Sequence, residues 1–207
     1  MIRRYLQALP LLSRDARLVV AASALAGFSY AGVFFLLTNL YLLRLGCGAE
    51  FIGMYAGTGA LSFATFCIPA GLVGRRFGYR AAMIGGFSVA ALGLGLVALA
   101  VGLPAPWRPA WLLACCALRE LGNAFFTVNA SPFLVDVTSP EDRSYAFSVR
   151  SVMYTVAGFA GSLAGGLLPR LSAHFLGSST ADPRVYMVPL LLGALLFVPG
   201  IVALTRT

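Results

Sequence analysis

Arg119 and Glu120 stand side by side in an otherwise apolar stretch, followed by Asn123, Thr127 and Ser131. At 100° per residue these side chains fall within an arc of roughly 120° on one helix. A charge so deep in an apolar helix costs at least ~2.5–3.5 kcal/mol even on a lenient insertion scale, so both residues must face protein or water. Two roles fit this pattern. The charges pin helices together, or they line an internal path along which a carboxylate takes up and releases protons. Neighbouring positions on a helix do not face each other, so each residue is expected to find its own partner. Arg119 is expected to hold an anionic group or the Glu120 carboxylate network, with Glu120 the better proton carrier.

Weaker polar stripes lie upstream. Ser23, Tyr30, Phe34, Thr38 and Tyr41 share an arc of roughly 80°, and Tyr55, Thr58, Ser62 and Thr65 form a similar line. For any single hydroxyl here, an interhelical hydrogen bond is the ordinary reading. The cysteines Cys47, Cys67, Cys115 and Cys116 show no metal-binding spacing and read as small apolar core residues. No metal and no cofactor is expected. An intramembrane hydrolase would need a Ser nucleophile near a His base, but His174 is the only histidine and no G-x-S-x-G elbow occurs. His174 falls in the expected outer loop between the fifth and sixth spans, so the chain is not read as an enzyme.

The elements that position these residues follow from hydropathy. The chain has 207 residues, 59% of them hydrophobic and 11% charged, with a mean hydropathy of +0.87. An average soluble domain carries about 25% charged residues. The composition excludes a disordered chain and a nucleic-acid-binding domain, and it fits an all-α membrane protein. Six stretches are long enough to cross ~30 Å of hydrocarbon. They lie at about 18–43, 51–73, 81–103, 110–135, 145–168 and 186–204, within one six-helix bundle covering 1–207. The third span has almost no polar residue beyond Ser88, which predicts a peripheral, lipid-facing helix. Gly53, Gly57 and Gly59 in the second span, and Ala157, Gly161, Gly165 and Gly166 in the fifth, predict close helix packing.

All the basic residues are Arg. With the N-terminus inside, Arg3, Arg4, Arg14, Arg17, Arg75, Arg76, Arg80, Arg143, Arg150 and Arg206 are assigned to inner segments, and Arg44, Arg108, Arg170 and Arg184 to outer ones. This asymmetry predicts a multi-pass protein of the cell (inner) membrane with both termini in the cytoplasm. Trp107 and Trp111 flank the outer turn between spans three and four, where interfacial aromatics are expected.

The inner turn between spans two and three reads Gly71-Leu72-Val73-Gly74-Arg75-Arg76-Phe77-Gly78-Tyr79-Arg80. This run resembles the cytoplasmic 2–3 signature of the major facilitator superfamily of secondary transporters, G-x-L-a-D-r-x-G-r-k. Gly71, Val73, Gly74, Arg76, Gly78 and Arg80 fit its register, while Arg75 stands where the signature has Asp. Arg119-Glu120-Leu121-Gly122 is similar to the family's buried Arg followed by Gly. The run from Asp136 to Arg143 resembles the end of its fourth helix and the 4–5 loop. Gly161 to Gly166 resembles the antiporter signature G-P-x-x-G-G, with Ser162 in place of Pro.

The resemblance implies the N-terminal half of a fold with two six-helix halves, each half made of two inverted three-helix repeats. It implies a half-transporter moving a small solute by alternating access. A second half is expected as a partner, whether a separate chain, a second copy or a missing continuation. Membrane lipid is the other expected partner, and nucleic acid is not one. The family lines its central path with helices one and four, which implies a path along Arg119, Glu120, Asn123, Thr127, Tyr30, Thr38 and Tyr41. It also implies that Asp136 pairs with Arg76 or Arg80. A non-transporting assembly protein, or a truncated transporter fragment, is the alternative.

Overall fold

Gly46, Gly78 and Gly177 have φ of 83°, 92° and 59°, and each lies where a long helix ends. Only glycine adopts such a backbone without strain. Gly78 is the entire link between two antiparallel helices, one ending at Phe77 and the next beginning at Tyr79. The computed structural model describes residues 12–206. Six helices run through them: α1 (Arg14–Arg44), α2 (Ala49–Phe77), α3 (Tyr79–Ala98), α4 (Arg108–Asp136), α5 (Arg143–Leu176) and α6 (Arg184–Thr205). All six are long and apolar enough to cross a membrane, and no strand occurs among the described residues. Arg3 and Arg4, counted towards the inner charge, lie outside the described residues.

Five of the helices run past their expected ends, α3 stops at Ala98, short of the expected 103, and α5 runs furthest, continuing through Pro169 and Arg170 to Leu176. A proline is tolerated inside a membrane helix when its surroundings satisfy the freed carbonyl. His174 therefore sits in the last turn of α5 rather than in the outer loop. In α6 the turn at Leu196 separates two helical segments. The break falls just ahead of Pro199, which has no N–H for the carbonyl of Leu195. Ser13 caps α1 by accepting a hydrogen bond from the Ala16 N–H at 3.2 Å.

Lipid supplies no hydrophobic force between helices, so glycine-mediated backbone contact sets the packing. Gly27 and Gly32 of α1 press on α5. A Cβ at Gly27 would overlap the Tyr154 carbonyl, and one at Gly32 would lie 2.6 Å from the Gly161 Cα. Gly161 presses back on the Phe28 carbonyl, so this predicted small residue is at a helix crossing. Gly166, Gly53 and Gly57 are not, because a Cβ there meets nothing within 4 Å. Residues Gly27–Phe34, which make this contact, form a π-helical segment of α1. Such wide turns are rare and concentrate at functional positions.

The third helix corrects the expectation of a lipid-facing span. Gly86 and Gly93 of α3 lie against the α4 backbone at Gly122 and Arg119, and Met83, Phe87, Ala90, Leu94 and Val97 are buried. The exposed helices are α2 and α5 instead, with 11% and 17% of their membrane windows buried against 44% for α3. Lack of polar residues does not distinguish protein interior from lipid, since both are apolar.

The neighbours repeat. Helix α2 packs on α4 as α5 packs on α1, α3 packs on α4 as α6 packs on α1, and α3 meets α6 between them. Exchanging the first three helices with the last three preserves this pattern. With antiparallel neighbours, that is the arrangement of two inverted three-helix repeats.

Candidate functional site

The Arg119 guanidinium and the Glu120 carboxylate meet each other, Nη2 to Oε1 at 2.5 Å, forming the one ion pair among the described residues. The expectation of separate partners fails because the long Arg side chain curls back over its neighbour. Both side chains are almost fully buried, at 11% and 7% exposure. Three helices build their surroundings. From α1, the Tyr30 hydroxyl donates to Glu120 Oε1 at 2.5 Å. From α4, one turn on, Asn123 Nδ2 donates to Glu120 Oε2 at 3.1 Å and to the Tyr30 oxygen at 3.3 Å. Thr127 Oγ1 donates to Asn123 Oδ1 at 3.3 Å, extending the line along the helix. Gly59 of α2 makes the room, since a Cβ there would lie 3.3 Å from the Cys116 sulfur and 3.6 Å from Arg119 Nη2.

Aromatic rings hold the guanidinium. Its carbon lies 5.1 Å from the Phe34 ring centroid, 5.2 Å from Tyr30 and 5.8 Å from Tyr55. Such faces attract a cation most strongly where water is excluded. The Tyr55 hydroxyl and Arg119 Nε are buried without a hydrogen-bond partner.

Tyr30, Asn123 and Thr127 also line a cavity of about 470 Å³. Its apolar walls are Phe63, Phe87, Phe126 and Phe197, from α2, α3, α4 and α6. Phe87 packs edge-on against Phe126, with centroids 4.3 Å apart, and against Phe197 at 4.9 Å. Helix α5 adds Arg150, Ser151, Tyr154 and Thr155. Arg150 is the residue that sequence reasoning missed, because it was assigned to the inner charge. It lies two turns inside α5, where Nε donates to Ser23 Oγ at 3.0 Å and Nη1 to Ser131 Oγ at 3.4 Å. Its position within the apolar run of span five was the signal available.

Thr38 and Tyr41 are not brought to this cluster. Thr38 Oγ1 donates to the Phe34 carbonyl of its own helix at 2.8 Å. The Tyr41 hydroxyl donates to the Ala98 carbonyl at 3.0 Å and accepts from the Val101 N–H at 2.9 Å, closing the end of α3. In the 2–3 turn, Gly74 leaves room for the Asn129 side chain, whose Nδ2 donates to the Ala70 carbonyl at 3.1 Å. A Cβ at Gly71 would lie 3.6 Å from Val128 Cγ1. Arg75 and Arg76 are exposed, and Arg76 lies over Phe77 at 5.4 Å. Asp136 shares a second cavity with Gly74, Arg75, Gly78 and Arg80 but makes no ion pair among the described residues, which corrects the expected link to Arg76 or Arg80. Arg80 is engaged elsewhere: its Nε donates to the Leu204 carbonyl at 2.9 Å and its Nη2 to the Thr205 carbonyl, tying the start of α3 to the end of α6.

The sequence profile of the Major Facilitator Superfamily matches residues 7–207. The chain belongs to the major facilitator superfamily. It is thus a multi-pass membrane protein of a transporter family. Among curated proteins it is similar to the multidrug resistance protein MdtH of Yersinia enterocolitica, at 28% identity over 144 residues, covering 70% of this chain and 34% of the relative. The MdtH proteins of Yersinia pestis and Yersinia pseudotuberculosis match with the same identity and coverage. The chain spans about a third of the length of the curated relatives it matches. Within the superfamily member described here, the 2–3 signature serves packing at Gly74 and turn geometry at Gly78, while the polar chemistry gathers around Glu120.

Proposed function

We propose that this chain is a six-helix half of a secondary active transporter that moves small, amphipathic solutes by alternating access, with Glu120 carrying the coupling proton. The observation that carries the reading is the buried Glu120 carboxylate, held by Arg119, Tyr30 and Asn123 and adjoining the cavity through Tyr30 and Asn123. A carboxylate that takes a proton loses the attraction of Arg119 and frees that guanidinium, so protonation and the arrangement of α1 against α4 are coupled. The similarity to proteins named for multidrug resistance supports export of drug-like solutes.

The exposed apolar faces of α2 and α5 support a second six-helix half seated over the cavity. Ile68 of α2 is 74% exposed and Phe159 of α5 is 67% exposed. That half is a continuation of the chain, a separate chain or a second copy. The Arg distribution supports an inner-membrane protein with both termini in the cytoplasm. Arg14, Arg17, Arg75, Arg76, Arg80, Arg143 and Arg206 gather at one end of the bundle, against Arg44, Arg108, Arg170 and Arg184 at the other.

The test is accumulation of aromatic amphiphiles of either charge in energised membrane vesicles. Glu120→Gln keeps the shape and removes the titration, so it should abolish accumulation against a gradient while the protein still folds. Accumulation equal to the parent would leave the Arg119–Glu120 pair as a helix pin.

A further inference from the structure

The interior of the bundle has an unbalanced charge. Of the carboxylates in the sequence, Asp15, Glu50, Asp136, Glu141, Asp142 and Asp182 lie in the end turns of helices or in loops. Only Glu120 lies deep within a span, and Arg119 occupies it. Arg150, partly buried two turns inside α5, lines the main cavity, and among the described residues its hydrogen-bond partners are the neutral hydroxyls of Ser23 and Ser131. Those bonds use Nε and Nη1, which leaves Nη2 and its two N–H groups without an acceptor among the described residues. A guanidinium in the span of a membrane protein is costly unless an anion or water answers it.

We propose that Arg150 is the recognition site for an anionic group on the transported solute, a carboxylate carried by an aromatic or otherwise apolar body. The cavity fits both parts. Thr127, Tyr154 and Thr155 add hydroxyl-bearing side chains to the lining that holds Arg150. Phe87, Phe126 and Phe197 form the apolar wall, and Phe126 already lies 6.0 Å from the Arg150 guanidinium. A guanidinium presents paired donors that match a carboxylate, and charge-assisted bonds of this kind are about twice as strong as neutral ones. The carboxylate restores neutrality to the interior, so Arg119–Glu120 is free to serve coupling and Arg150 serves recognition. This assignment rests on the reading of the cavity as the solute path.

The experiment compares 2-naphthoate with its neutral amide, 2-naphthamide, by calorimetric titration of the chain in phosphatidylcholine nanodiscs. The acid should bind at least about tenfold tighter, a difference of ~1.4 kcal/mol. Arg150→Gln should erase the difference, Arg150→Lys should keep part of it, and the exposed Arg75→Gln should leave it intact. Equal binding of acid and amide, or a difference that survives Arg150→Gln, overturns the proposal. A second measurement covers a Gln variant that does not fold. In a background lacking the native cysteines, naphthoate should protect Ser151→Cys from a maleimide and naphthamide should not; equal protection overturns the site. Neither readout needs solute flux, so their failure leaves the coupling role of Glu120 standing, and a failed flux assay leaves them standing.

Discussion

The Tyr30 hydroxyl and the Glu120 carboxylate, 90 positions apart in the chain, are joined at 2.5 Å across the contact between α1 and α4. These helices are the first members of the two three-helix repeats. The bond therefore links the repeats at the point where the one buried acid sits. Tyr30→Phe keeps the ring over Arg119 and removes the donor. We expect a loss of stability of ~1–2 kcal/mol, since a hydrogen bond to a charged group is removed from a buried site. Thermal unfolding in detergent measures it, and an unchanged melting temperature would show that water replaces the hydroxyl.

Tyr41→Phe should act on the fold alone. Its hydroxyl satisfies the Ala98 carbonyl and the Val101 N–H, and both lose their partner in the variant. The expected cost is ~1–3 kcal/mol in thermal stability. Solute accumulation per folded molecule should match the parent; a selective transport defect would put Tyr41 back on the solute path.

Two glycines, one at a helix crossing and one outside it, should respond in opposite ways to the same substitution. Gly122→Ala drives a Cβ into the α3 backbone at Ala90 and Gly86, whereas Gly166→Ala places it in open space. The first should cost ~1–3 kcal/mol as an overpacked contact. The second should leave folding unchanged or slightly improved. Size-exclusion profiles and melting temperatures of the pair check this.

The orientation of the bundle is open to labelling. Ser144 stands at the start of α5 and Ser179 in the 5–6 loop, and both are exposed. In a background lacking the native cysteines, an impermeant maleimide added outside should label Ser179→Cys and spare Ser144→Cys. The reverse pattern would invert the topology.

Arg80→Ala should loosen the end of α6, because the Leu204 and Thr205 carbonyls lose the guanidinium that binds them. Faster amide exchange over the last turn of α6, with the centre of α3 unaffected, is the expected result.

The six spans and the line Arg119, Glu120, Asn123 and Thr127 were legible in the sequence because both depend on local periodicity. A helix of 3.6 residues per turn puts those side chains on one face whatever it packs against. The family resemblance was legible at Gly71, Gly74 and Gly78 for a similar reason, since a tight turn and close packing demand glycine locally. What the tertiary structure alone decided was who meets whom. Hydropathy records transfer out of water, and lipid and protein interior score alike, so α3 read as lipid-facing until Gly86 and Gly93 were seen against α4. The reach of a long side chain is set by elements distant in sequence. That is why Arg119 turned to its neighbour, Arg80 to the end of α6 rather than to Asp136, and Arg150 from the inner surface into the cavity.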